Sequence, residues 1–270
     1  MIKLITSISI SFYLLGALNA YAENVAPKLS GTEIMQNVDQ REEGEQVTRR
    51  SHIELKNRRN TVRSQKTIAY KKHFGDEKRT IIFYTEPTNV RGTGFLTFDY
   101  KSPDKDDHLW LYLPALRKVR RISSSDRGEY FLGTDFTYEE IKKEQKVELQ
   151  DYTFERKGTD SVNDVETLVV EGTPVNSDIA EELGYSRVVW RIDPAIWMSL
   201  QSDYYDLGGN HFKTTIVEKV EKIGGIDTAT KIFSKNHITE HSTRITFSDV
   251  DYTTDIKDNL FSQARLRRGF

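Results

Sequence analysis

Alternation of apolar and polar residues dominates the chain after residue 45, which is typical of strands with one face in water. The first two such segments, residues 47–56 and 61–72, flank a polar stretch at 57–60, so we expect a hairpin there. Further segments follow up to residue 250, and together they predict about a dozen strands. The predicted strands cover residues 47–56, 61–72, 80–84, 95–98, 109–113, 117–122, 147–156, 165–171, 187–192, 196–204, 212–222, 230–235 and 243–250.

Two short helices are predicted by capping-box spacings, in which Ser or Thr precedes Glu by three residues. Ser30 with Glu33 begins one helix, and Thr137 with Glu140 begins the other. The helices are expected over residues 31–41 and 138–144, with a loop or one helical turn over 176–184 and a short tail after residue 255.

A single open sheet of this many strands curls, which creates a concave face. The predicted helices are the natural cover for that face. We therefore predict a mainly β fold with a few helices, either a barrel or a curved sheet whose concave face the helices cover.

The fifth predicted strand, residues 109–113, is apolar on both faces. Leu109, Leu111 and Leu113 share one face, and Trp110 and Tyr112 share the other. A strand that is apolar on both faces is covered on both faces. The alternation leaves open which of the two sets points into the concave side.

A basic run follows this strand and contains Arg117, Lys118, Arg120 and Arg121. One interpretation is a solvated edge strand, because charges on an edge discourage strand-to-strand aggregation. The other is a cationic rim beside an apolar surface, suited to lipid head groups. Nearby aromatic residues pose a similar choice between core packing and the lining of a cavity.

The N-terminal segment has the features of a secretory signal. Lys3 precedes a short apolar run, and Ala20 and Ala22 provide a small-x-small cleavage site before Glu23. We therefore predict a cleaved signal peptide over residues 1–22 and an exported, soluble, single-domain mature chain over 23–270.

Composition narrows the classes of function. The chain contains no cysteine, so disulfides, a lipid-bearing cysteine and thiol catalysis are all excluded. The formal net charge is −2, and this balance does not favour nucleic-acid binding. The hydrophobic share of 37% fits a large sheet with one wet face.

Motifs for catalysis or metal binding are weak. His237 and His241 have the spacing of a zinc pair, but strand-like flanks predict a surface turn instead of the helix that such a pair needs. The acidic stretch 102–107 lacks the glycine and distal glutamate of a calcium loop, so we interpret it as a solvated loop. Glycine-rich nucleotide motifs and the serine nucleophile elbow do not occur. We expect no catalytic residues, metal or cofactor, although paired carboxylates of a hydrolase would leave no mark in the sequence.

Several segments resemble the LolA-like outer-membrane lipoprotein-sorting family, and in particular its periplasmic branch found with RND-type exporters. The specific part is the middle block, residues 110–114, 120–122 and 131–139. This chain has Thr134 where family members usually have Ser. Weaker matches lie at residues 87, 92–96, 185–193 and 205–206.

The resemblance implies an unclosed antiparallel β half-barrel of about 11–12 strands, with helices as a lid over an apolar cavity. It implies a periplasmic carrier that binds lipid or lipoprotein acyl chains, contacts membranes transiently and moves its cargo toward the outer membrane, without enzymatic activity. The alternative is an accessory protein of an RND-type exporter that carries nothing. For the cavity lining we predict Phe95, Leu109, Leu111, Leu113, Phe131 and Phe136, and for a head-group rim Arg117, Arg120 and Arg121.

Overall fold

In the computed structural model, which describes residues 29–102 and 104–269, all strands join one antiparallel sheet. The described residues form thirteen strands, one for each segment predicted from the sequence and one or two more than the family resemblance implies. They are Gln46–Lys56 (β1), Val62–His73 (β2), Glu77–Glu86 (β3), Gly94–Tyr100 (β4), His108–Leu113 (β5), Lys118–Ile122 (β6), Tyr152–Val162 (β7), Val165–Pro174 (β8), Arg187–Asp193 (β9), Met198–Tyr205 (β10), His211–Ile223 (β11), Ile226–Asn236 (β12) and Ser242–Asp251 (β13).

The order of the strands explains which segment covers the inner face of the sheet. The sheet runs from β6 through β1, then from β13 down to β7, so the first and last strands pair in its middle. The two edges are therefore β6 and β7, which are consecutive in the chain. The connection between them, residues 123–151, packs along the inner face. The predicted fold class, an unclosed half-barrel with its concave face covered, is confirmed.

Four α-helices accompany the sheet in the described part of the chain. They are Gly31–Gln40 (α1), Tyr138–Lys143 (α2), Ser177–Leu183 (α3) and Gln263–Arg268 (α4). Both predicted capping boxes are present, with Ser30 and Thr137 accepting hydrogen bonds from the backbone N–H three residues later. These reciprocal bonds explain why α1 and α2 begin where the sequence predicts.

Three predicted segments need correction. Residues 147–151 were predicted as the start of a strand, but they precede β7 and contain a 3₁₀ turn. Val147 and Leu149 pack beside α1 and do not pair with a neighbouring strand. The segment 176–184 is a full helix, capped by the Asn176 side chain and by Gly184 in the left-handed conformation. The tail, for which no element was predicted, also contains a helix, α4.

The β3–β5 region is covered on both faces, as the apolar pattern of β5 predicts. Leu109 and Leu111 belong to the same buried cluster as Ile245 of β13, which lies far from β5 in strand order. A cluster that joins distant strands identifies the inner face of the curve. Trp110 and Tyr112 point to the outer face, where the C-terminal segment covers them with three buried side chains, Ile256, Phe261 and Leu266.

The other half of the inner face is covered by α1. Its buried side chains Ile34, Met35 and Val38 pack with Val170 of β8 and Trp190 of β9. Burial of an aliphatic side chain contributes about 1.5–3 kcal/mol, so this apolar stripe is enough to hold a ten-residue helix on the sheet.

The predicted signal peptide, residues 1–22, lies outside the described residues and stays a prediction. Within residues 29–102 and 104–269, every helix is too short or too polar to span a bilayer.

Candidate functional site

A cavity of about 110 Å³ lies between the inner face of the sheet and the connection that crosses it. Strands β1–β3, β10, β12 and β13 contribute to its wall, and residues 131–145 of the connection contribute to its cover. The apolar part of the lining includes Ile53, Ala69, Ile82, Phe131, Phe136, Ile232 and Ile245.

The lining changes character along strand β1. Alternate residues of a strand face the same side, so Ile53, Ser51 and Arg49 follow one another along the cavity wall. On β2 the buried Lys71 lies toward the same charged end, and the hydroxyls of Ser51 and Thr67 are hydrogen-bonded between the two ends. The cavity is therefore apolar at one end and charged at the other.

Ion pairs close the charged end. Lys71 Nζ lies 3.0 Å from a Glu43 carboxylate oxygen and 3.3 Å from one of Glu144, and Arg49 also pairs with Glu144. Burial alone would raise the pKa of Glu144, but Arg49 and Lys71 outweigh it and lower this pKa to about 2. Burial likewise opposes ionisation of Glu43, and Lys71 and Lys78 hold its pKa well below the usual value.

Helix α2 is fastened to both halves of the sheet. Near its start, Glu140 accepts hydrogen bonds from Lys213 Nζ of β11 at 2.9 Å. At its end, Lys143 Nζ donates to Asp99 of β4 at 2.7 Å. Because these strands lie in different halves of the sheet, the six-residue helix spans the interior and connects the two halves.

A second cavity, of about 60 Å³, lies on the other side of this crossing segment. Phe136, Glu140 and Gln145 border both cavities. The segment that carries α2 therefore divides the interior of the half-barrel, and its displacement would join the two spaces.

The predicted lining residues all belong to one region but differ in their access to the cavity. Phe131 and Phe136 line it directly. Phe95, Leu109 and Leu111 are buried in the same cluster behind them, with the Phe95 and Phe131 ring centroids 4.9 Å apart. Leu113 is partly buried at the margin of that cluster.

The predicted rim arginines do not share one face. Arg117 lies in the turn before β6, Arg120 is paired with Leu111, and Arg121 is paired with Trp110, so the latter two point to opposite sides of the sheet. All three are exposed, and none lines either cavity. Their role as a head-group rim stays a prediction.

The histidine pair lies in the turn between β12 and β13, where the sequence places it. The two rings have different partners, because His237 Nε2 contacts the Thr214 hydroxyl at 2.9 Å and His241 Nδ1 contacts Asp135 at 2.7 Å.

Three carboxylates, those of Asp99, Asp107 and Glu148, lie close enough together to share a metal ion. The ammonium groups of Lys142 and Lys143 already pair with them. The lysines supply the positive charge that a metal would otherwise provide, so this cluster is a salt-bridge network around the base of α2.

Sequence reasoning missed most of the lining that comes from the distant strands. Ile53, Ile232 and Ile245 each occupy an apolar position of an alternating segment, which was the only available signal. The buried ionic residues were missed as well. Lys71 and Glu144 lie 73 positions apart in the chain, and charged residues on polar strands are usually solvated.

Comparisons with known proteins agree with this architecture. A family model described only as that of an uncharacterized protein matches residues 75–268. A DUF1329 family protein from Desulfovibrio piger is 26% identical with a TM-score of 0.79, over 87% of this chain and 97% of its own. A Vibrio parahaemolyticus domain named for outer-membrane lipoprotein sorting is 28% identical with a TM-score of 0.79, over 88% of this chain and 98% of its own.

A LolA superfamily protein from Nitrosomonas europaea shares the fold at 19% identity and a TM-score of 0.65, over 88% of this chain and 99% of its own. Among proteins with curated descriptions, none matches the chain.

Proposed function

The chain belongs to the family whose model matches residues 75–268, and it is LolA-like in sequence and fold, so we propose that it carries lipid or lipoprotein acyl chains through the periplasm toward the outer membrane. The observation that carries this proposal is the cavity on the inner face, which is apolar at one end and covered by a bridging helix. The name of the Vibrio domain, which refers to lipoprotein sorting, supports the same direction.

The chemistry of carriage is non-covalent. Each buried CH₂ group of an acyl chain contributes about 0.8 kcal/mol, so an aliphatic wall formed by residues such as Ile53, Ile82 and Ile245 provides the affinity. The proposed function therefore requires no catalytic residue and no cofactor.

The size of the cavity requires a moving cover. At about 110 Å³ it is smaller than the roughly 150 Å³ cavity that accommodates benzene in another protein, so an acyl chain needs more room. Displacement of α2 would join the two cavities that share Phe136 and Gln145. We propose that the covered state described here exchanges with an open state that loads and releases cargo.

Location and partners follow from the same proposal. The predicted signal peptide directs the chain to the periplasm, and loading or release involves transient contact with a membrane. An RND-type exporter is a proposed partner. The alternative function is that of an accessory protein of such an exporter, which carries nothing. The cavity and the helix α2 that covers it would then have no ligand-binding role.

The test is direct detection of cargo. We expect acyl lipids to co-purify with the mature protein in mass spectrometry, and a fluorescent fatty acid to bind and be displaced by lipid extracts. Ala69→Phe fills the cavity wall and should abolish probe binding, whereas Ala264→Phe on the exposed side of α4 should not. Carriage is contradicted if no lipid co-purifies and the folded protein binds no probe.

A further inference from the structure

At the charged end of the cavity, one cation forms no ion pair with any carboxylate of the described residues. Arg41, which caps the C-terminal end of α1, lines the cavity and makes a long 3.4 Å hydrogen bond from Nη1 to the backbone oxygen of Asp227. Its buried Nε has no hydrogen-bond partner in the described part of the chain. Among the described residues, no carboxylate forms an ion pair with this guanidinium. An unsatisfied charged donor inside a protein is costly, which calls for an explanation.

The carboxylates near Arg41 are already committed to other cations. Glu43 contacts Lys71 Nζ at 3.0 Å and Lys146 Nζ at 3.3 Å, and it also faces His73 and Lys78. Glu144 contacts Arg49 and Lys71. Asp227 faces Lys222 at 3.5 Å. Cations therefore outnumber anions around this end of the cavity.

The incomplete pairing of these cations also appears in their ionisation. Burial lowers the pKa of Arg41 and outweighs the attraction of Glu43 and Glu144. Burial lowers the pKa of Lys146 in the same way. At the other side of α2, by contrast, Asp99 and Glu148 overcome burial and raise the pKa of Lys143. Arg41 and Lys146 are thus incompletely paired with carboxylates, whereas Lys143 is fully paired.

We propose that Arg41 binds the anionic head group of the cargo, so that the cavity selects amphiphiles that carry a carboxylate or phosphate. This inference rests on the proposed carrier function and specifies its ligand class. The guanidinium forms paired hydrogen bonds to either kind of oxyanion, and the vacant Nε–H is part of that fork. The acyl chain then extends from Arg41 past Ser51 toward Ile53 and Phe131.

The position of this site differs from that of the basic run on β6. Arg120 is exposed on an edge strand, whereas Arg41 lines the same cavity as the aliphatic wall. A head group bound at Arg41 is held in a fixed position relative to its own chain. A cation at an exposed rim would instead be screened by salt and contribute little.

Titration calorimetry with decanoate, decanol and inorganic phosphate tests the proposal. Wild-type protein should bind decanoate at least about tenfold more tightly than decanol, as expected for a charge-assisted hydrogen bond. Arg41→Gln should remove this preference and leave decanol binding unchanged, while Arg41→Lys should retain part of it. Arg267→Gln, an exposed arginine of α4, is the matched control and should behave as wild type.

The outcomes separate the two proposals. If neither decanoate nor decanol binds the wild type, carriage itself fails, and the head-group site fails with it. Equal binding of both ligands, or an equal loss of both in Arg41→Gln, would overturn the head-group site and leave carriage intact. Binding of inorganic phosphate as tightly as decanoate would show a free-anion site, which also contradicts the proposal.

Discussion

Lys213 of β11 lies with its ammonium nitrogen 2.9 Å from both carboxylate oxygens of Glu140, and only 1% of this lysine is exposed. The same carboxylate accepts a hydrogen bond from the Thr137 N–H at 2.7 Å, which completes the capping box of α2. One side chain therefore both begins the helix and attaches it to the second half of the sheet.

Breaking this pair should destabilise the protein strongly. Lys213→Met leaves the Glu140 carboxylate without its cation, and loss of one partner of a buried pair costs roughly 3–5 kcal/mol. The free energy of unfolding from urea titration is the measurement. The double variant Lys213→Met/Glu140→Gln should lose less than the sum of the single variants. If Lys213→Met lowered the free energy of unfolding by less than about 1 kcal/mol, the pair would contribute no more than a surface ion pair and the prediction would be wrong.

Glu144→Gln should make the cover easier to open. The substitution removes the charge that attracts Arg49 and Lys71, and a shift of about 1.4 kcal/mol in the open–closed equilibrium changes it tenfold. We expect release of a fluorescent fatty acid, followed by stopped flow, to become about tenfold faster. Glu155→Gln, which removes an exposed pair with Lys157, should leave the rate unchanged. Equal rates for wild type and Glu144→Gln would exclude this ion pair as the latch.

Stability should fall at acidic pH. The folded-state pKa values of Glu144 and Asp99 are both about 2, below the ordinary values of 4.5 and 3.8. Depressed carboxyl pKa values stabilise the folded state at every pH above the unfolded pKa, and this contribution is lost as pH falls from about 4.5 to 2. Urea titrations should therefore show a nearly constant free energy of unfolding from these two groups between pH 7 and 5, where their contribution is fully present, and a decline below pH 4.5. The decline should be shallower in Glu144→Gln.

Two phenylalanines on opposite faces should separate stability from binding. Phe136→Ala and Phe261→Ala each remove a buried ring and should cost roughly 3–5 kcal/mol of unfolding free energy. Phe136 borders both cavities, so its removal should enlarge the site and strengthen binding of a longer fatty-acid probe. Phe261 lies under the outer cover and should leave probe binding unchanged. An identical effect of the two variants on probe affinity would contradict the position assigned to the site.

Local patterns were enough to predict most elements. The capping boxes at Ser30 and Thr137 are contained within four residues, and β5 shows its double coverage in five residues. The errors fell where local signals are ambiguous. Residues 147–151 show the apolar spacing of a strand but lack a pairing partner, and α4 is only six residues long.

The sequence alone determined the strands, the two capped helices and the presence of a strand covered on both sides, because these depend on side chains close together in the chain. Only the tertiary structure decided which face of β5 is inner, since that depends on the curvature of the whole sheet. It also brought Arg49 and Lys71 to Glu144, and Arg41 to an apolar wall. Those contacts exist because the first and last strands pair and leave β6 and β7 as edges, joined across the interior by a single connection.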